Sequence, residues 1–240
     1  MEYAVNVPDY ETQKKTSHLL RLLDRKIELN NKINQNLEEQ AQAIYKSWFA
    51  GFEANGILSD IADITMGQSP KGTSYNQDKT GIIFFQGRTD FRYRFPNERI
   101  YTTEPKKFAE KNDILMSVRA PVGDLNIANQ KCCIGRGLAS VRSKDNHSSF
   151  LFYTLLNIKN QLNIFNGQGT VFGSINQKSL KELSIVIPPY ELLEKFEKII
   201  SRIDKKIENN YSENQRLSVL RDTLIAKLIN EEIDVSKIQI

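Results

Sequence analysis

The stretch "IPPYELLEKFEKIISRIDKKIENNYSENQRL", residues 187–217, matches "VPDYETQKKTSHLLRLLDRKIELNNKINQNL", residues 7–37, without a gap when Pro188 is laid on Pro8. Twelve positions are identical, among them Pro8, Tyr10, Glu11, Asp24, Ile27, Asn30, Asn34 and Leu37 with their partners. One segment therefore occurs twice and brackets everything between. In the first copy the positions Leu20, Leu23, Ile27, Asn30, Asn34 and Leu37 recur in alternating steps of three and four, within a run from Gln13 to Trp48. In the second, Ile200, Ile203, Ile207, Asn210, Asn214 and Leu217 do the same within Leu193 to Leu228. A seam sustained over about five heptads predicts two coiled-coil helices. At about 1.5 Å per residue each rod is roughly 50 Å long. Asparagines interrupt both seams at equivalent places. A buried asparagine costs stability and pairs best with another, so it fixes register and partner. The pattern leaves open whether the rods meet within one chain or between chains.

Pro188-Pro189-Tyr190 invites comparison with the catalytic tetrapeptide of adenine methyltransferases. That chemistry needs an Asp, Asn or Ser before the prolines to accept from the target amine, and the Ile187 side chain cannot accept. The first copy has Pro8-Asp9-Tyr10, so the motif is punctuation: proline is tolerated where a helix begins, and glutamate suits its first turn. "GQSPKGTS" (67–74) has Walker A spacing but puts Thr73 where the phosphate-binding lysine must stand.

The chain has 240 residues, 40% hydrophobic and 26% charged. That length is enough for one domain with a core plus extended elements. No apolar run approaches the length of roughly 20 residues that spans a bilayer. The start "MEYAVNVPDYETQKK" lacks the form of a secretory signal, so the expected setting is the cytoplasm, with no membrane partner. Cys132 and Cys133 are adjacent, a spacing that suits neither a disulfide nor zinc, and both read as strand residues. With two histidines in the chain, no metal and no cofactor is expected. Residues 51–184 carry seventeen basic against twelve acidic side chains, while 1–50 are balanced and 185–240 are acidic by one. A basic centre between near-neutral arms points to a polyanion partner.

Between the rods the periodicity changes. "GIIFF" (81–85), "DILMSVR" (113–119), "DLNIA" (124–128) and "CCIGRGLASVR" (132–142) read as strands separated by Gly and Pro. Residues 148–165 read as a helix opened by a serine cap, and 176–184 as a short helix capped by Asn176. The expected fold is α+β, with coiled-coil helices over 1–50 and 185–240 flanking one globular domain over 51–184. Three polar loops (67–76, 86–95 and 166–177) carry groups able to read base edges or hold phosphates: Gln68, Ser69, Lys71, Thr73, Ser74, Tyr75; Gln86, Arg88, Thr89, Arg92, Arg94; Gln168 and Thr170. In "QGRTDFRYRF" a strand would put the arginines and Asp90 on one face and Phe91, Tyr93 and Phe95 on the other, in the core. Arg119 and Arg136 fit either phosphate contacts or buried ion pairs, and His147 reads as a surface residue.

"AIYKSWFAGFE" (43–53), "GQSP", "KNDILMSVRAPVGDLNIA", "IGRGLASVR" and "GSINQKSLKELSIVIPPYE", with the repeat itself, form an ordered set that resembles the DNA-specificity subunit of type I restriction-modification systems. The resemblance runs from the start to about residue 230. Full-length members have two target-recognition domains alternating with two helical segments, whereas this chain has both helices and one domain. What the resemblance implies is a half-length, non-catalytic specificity subunit whose partners are double-stranded DNA, a methyltransferase subunit that carries S-adenosylmethionine, a nuclease/translocase subunit, and a second copy of itself. A twofold dimer implies an inverted-repeat target with an unread spacer. A different class of reading is an assembly or regulatory fragment that pairs by coiled coil without productive DNA binding.

Overall fold

The computed structural model describes residues 9–167 and 173–229. Helix α1 (Tyr10–Phe49) and helix α6 (Tyr190–Ile229) are 40 residues each. Each starts at the tyrosine of its Pro-x-Tyr. In α1 the intervening residue, Asp9, caps the first turn by accepting from Thr12 N and Thr12 Oγ1, both at 2.9 Å. In α6 the equivalent position is Pro189, whose carbonyl accepts from Leu192 and Leu193 N, since a proline's missing N–H costs nothing there.

Between them lie strands β1 (Gly56–Ile57), β2 (Ala62–Met66), β3 (Tyr75–Asn76), β4 (Ile82–Phe85), β5 (Tyr101–Thr102), β6 (Phe108–Ala109), β7 (Ile114–Ser117), β8 (Leu125–Ile127), β9 (Cys132–Ile134), β10 (Leu138–Ser143) and β11 (Ser184–Ile185). Short helices α2 (Leu58–Ile61), α3 (Ser148–Asn157), α4 (Lys159–Asn163) and α5 (Gln177–Lys181) join them. One sheet has the order β2-β10-β7-β8, all antiparallel, and a second the order β3-β5-β4-β9-β6, with β4 and β9 parallel. β1 and β11 pair antiparallel where the chain enters and leaves the sheets. The mixed fold is the expected α+β class, two long helices flanking a sheet domain. None of the helices among the described residues is long and apolar enough to cross a membrane.

Backbone contacts divide the chain into two compact units, one of Gln42–Ser201 and one of the described residues up to Ala41 and from Arg202. In the first unit Ile83, Phe85, Leu115, Cys132, Ile134 and Leu138 are buried between the sheets, with Phe91 and Tyr101 packed against them. Burial pushes the Cys132 thiol up to about 12, so it is inert as a nucleophile and acts as a small apolar strand residue. A second cluster is aromatic: Tyr45 and Phe49 of α1 meet Phe150 of α3 and Phe196 of α6. Phe49 sits edge to face at 5.2 Å from Phe196 and 5.3 Å from Phe150. That geometry sets the positive edge of one ring on the negative face of the next.

In the second unit the helices run antiparallel within one chain, so Asp24 faces Arg221 (2.8 Å) and Asn34 faces Asn210 (2.7 Å). All four seam asparagines are buried, at 8% exposure or less, while Leu23, Ile27, Ile203 and Leu217 are only half-buried. The polar layers are therefore among the tightest parts of the pair.

Three expectations need correction. Residues 88–95 are not a strand: Arg88–Asp90 form a 3-10 turn and Arg94 takes φ +66, which no strand tolerates. His147 is buried, its Nε2 2.7 Å from Glu194 Oε1, because α6 packs over the start of α3. α3 has no serine cap; Ser149 and Phe150 N donate instead to the Glu197 carboxylate, at 3.1 and 3.0 Å, and the helix stops at Asn157.

Candidate nucleic-acid interface

Three loops of the sheet domain pack backbone on backbone, and glycine makes that possible. A Cβ on Gly67 would stand 2.1 Å from Gly135 O, and one on Gly137 2.8 Å from Gln86 O. With no side chain in the way, Gln68 N donates to Ile134 O (2.9 Å), Gly135 N to Phe85 O (2.8 Å) and Val118 N to Gly137 O (2.9 Å). These bonds gather the polar residues that follow each strand around one cleft of about 620 Å³. Ser69, Tyr75, Gln86, Arg88, Thr89, Asp90, Arg99, Arg119 and Arg136 line it.

The cleft is cationic. Four guanidiniums face one carboxylate, Asp90, which is itself buried and paired with Arg99 through Nε (2.7 Å) and Nη2 (2.5 Å). Arg88 donates from Nη1 to Asp124 Oδ2 at 2.6 Å, and Lys159 reaches the other oxygen at 3.2 Å. Arg119 and Arg136 are exposed, and neither is in an ion pair among the described residues, which settles against the buried-pair alternative. Ser69 Oγ accepts from Arg136 N at 3.3 Å and links two of the loops.

Of the positions expected from sequence, the structure brings Ser69, Tyr75, Gln86, Arg88, Thr89, Arg119 and Arg136 into the cleft. Gln68, Lys71 and Thr73 are exposed outside its lining, and Arg92 folds back to donate to Thr89 O and Phe91 O. Ser74 and Arg94 leave the candidate set because both are buried. Ser74 Oγ bonds Lys71 O (2.7 Å) and Thr102 Oγ1 (2.8 Å). The Arg94 guanidinium lies 3.8 Å over the Phe152 ring, within reach of Tyr153 Oη at 3.3 Å. The ring face attracts the cation there, which suits a structural role. Gln168 and Thr170 lie outside the described residues. Sequence reasoning missed Arg99, which lies outside the three polar loops and lines the cleft paired with Asp90, and Asp124, which lies outside the lining and meets the cleft residue Arg88 from just before β8. Among the described residues no group of three or more His, Cys, Asp or Glu could hold a metal ion.

The family model described as "Type I restriction modification DNA specificity domain" matches residues 55–219. The putative type I restriction enzyme MjaX specificity subunit of Methanocaldococcus jannaschii is 34% identical over 96% of this chain and 59% of its own length. Among solved structures, the HsdS subunit from Thermoanaerobacter tengcongensis is 28% identical, with a TM-score of 0.57 over 95% of this chain and 60% of that one. The type I restriction-modification S subunit from M. genitalium, 17% identical with a TM-score of 0.65 over 92% of this chain and 61% of that one, shares the fold. The chain thus spans about 60% of the length of such relatives. With the family model covering most of the sheet domain and running into the second long helix, the chain belongs to the type I restriction modification DNA specificity domain family.

Proposed function

We propose that this protein is a non-catalytic subunit that recognises a specific DNA sequence for a type I restriction-modification complex in the cytoplasm. The observation that carries the reading is the cationic cleft, where Arg119 and Arg136 stand without ion-pair partners among the described residues, beside Gln86, Ser69 and Thr89. Arginine and glutamine are the side chains that bond purine edges in the major groove, and unpaired arginines hold phosphates. In this reading residues 51–184 read bases, and the helical segments 1–50 and 185–240 serve assembly, docking methyltransferase subunits and through them a nuclease/translocase.

The same reading makes the protein a homodimer on an inverted-repeat site with an unread spacer. The in-chain pairing of α1 with α6 uses up both seams, yet Leu22, Leu29 and Ile33 stay 47%, 52% and 37% exposed on one face of α1. That stripe is one a second copy would cover. The test is light scattering of the full chain, then its mixture with a methyltransferase subunit and a random-sequence duplex pool from which bound DNA is sequenced. We expect a dimer, an enriched inverted repeat with a fixed gap, and affinity that falls steeply with salt as counterions are released. A protein that enriches nothing with its methyltransferase is an assembly fragment, and the DNA-reading proposal fails.

A further inference from the structure

The arginines around the cleft differ in how they are held, and the difference assigns them different work. Arg119 and Arg136 have no ion-pair partner among the described residues. Arg99 commits the Nε and Nη2 edge of its fork to Asp90, so the edge that could make two parallel bonds is occupied. Arg88 gives Asp124 only Nη1, at 2.6 Å, and Nε and Nη2 have no partner among the described residues. A guanidinium held by one nitrogen with its bidentate edge open is pre-aimed, and it loses less rotamer freedom on binding than an untethered one.

Asp124 is well placed to do the aiming. Its backbone is fixed from both sides by Ser117, which donates from N to Asp124 O (2.9 Å) and accepts at Oγ from Asp124 N (2.9 Å). Ser117 is buried in β7, with its hydroxyl further tied to Pro121 O at 2.6 Å. Asp124 also meets Lys159 at 3.2 Å, so one carboxylate restrains two cations that would otherwise seek phosphates.

We infer that Arg88 is the residue that reads a guanine, bonding its O6 and N7 through the open fork edge, and that Asp124 is a positioning residue that holds Arg88 off the phosphates and aimed at the base. Arg119 and Arg136, untethered, supply phosphate contacts that carry no sequence information. The inference rests on the DNA-recognition reading proposed above and adds the base and its reader.

The full chain with its methyltransferase subunit is tested by sequencing duplexes retained from a random pool, for the wild type and for Arg88→Lys, Asp124→Asn and Arg119→Ala. Wild type is expected to fix a guanine at one position of each half-site. Arg88→Lys, which keeps the charge but not the fork, and Asp124→Asn should each cut the preference at that one position about tenfold and leave the rest of the site intact. Asp124→Asn should also bind unrelated duplex more tightly, since two cations are released; a purely structural Asp124 would not change one base preference and raise non-specific affinity together. Arg119→Ala should weaken all sequences alike and lower the salt slope by about one. An enriched site whose base preferences are the same in Arg88→Lys as in wild type overturns this inference while leaving DNA recognition standing. A wild type that enriches nothing overturns both.

Discussion

Glu197, on the second long helix, accepts from Ser149 and Phe150 N and so satisfies two of the donors that α3 leaves unpaired at its start. Burial pushes its carboxyl above the usual glutamate range, against the pull of these two bonds. Folded protein therefore keeps the proton at a pH where unfolded chain has lost it, and the stability this group contributes below the unfolded value of 4.5 is lost as pH rises through the folded one. Glu194, held below its usual range first by the His147 bond and then by Tyr190, works in the opposite direction and loses its contribution as pH falls. In Glu197→Gln only the first slope disappears. Melting temperature measured from pH 4.5 to neutrality should fall less with pH in the variant than in wild type, apart from a constant offset for the lost second acceptor; parallel curves would refute the assignment. None of this was legible in the sequence. His147 meets a partner 47 residues away and Arg94 one 59 residues away, and a lone polar residue does not announce a distant partner.

The helix pair is where pattern and physics agree most closely. Spacing by three and four picks out a buried face, and duplication marked the asparagines as a matched set, so helices, seam and polar layers could all be read in advance. What the heptads could not give was the partner, because they specify which face is covered and not by whom. The asparagines bond in two crossed pairs, Asn30 to Asn214 (2.8 Å) and Asn210 to Asn34 (2.7 Å), with Asn214 also donating to Asn31 and Asn30 to Glu213. Asn34→Leu alone leaves Asn210 buried without its acceptor and should cost about 1–3 kcal/mol. Asn34→Leu with Asn210→Leu replaces both partners by apolar groups and should melt higher than the single variant. Thermal unfolding of both checks the pairing, and equal melting points would argue against it. In the sheet domain the strands over 81–85, 113–119 and 124–128 were legible from apolar runs. The 88–95 segment misled because its alternation of arginine and aromatic imitates a strand while Arg94 turns the chain the other way.

For the molecule as a whole, the stripe Leu22, Leu29 and Ile33 separates self-association from folding. These side chains stay exposed in a single chain, so Leu29→Glu should leave the melting of dilute protein nearly unchanged and convert the proposed dimer to monomer by light scattering. A dimer that survives the change would move the interface elsewhere. The cleft was legible in part: seven of its lining residues, Arg136 among them, were singled out in advance, whereas Asp124 meets Arg88 from 36 residues away, a pairing that no local window contains.

The crossed asparagines have one more consequence. Exchanging each asparagine for its counterpart in the repeat turns the pair Asn30–Asn214 into the pair Asn210–Asn34, so these two amide bonds are the same whichever helix comes first along the chain. Asp24 beside Arg221 shows that the two helices still run alongside one another at that level. The duplication therefore supplies both halves of each amide pair at once: one segment, copied, brings its own partner with it.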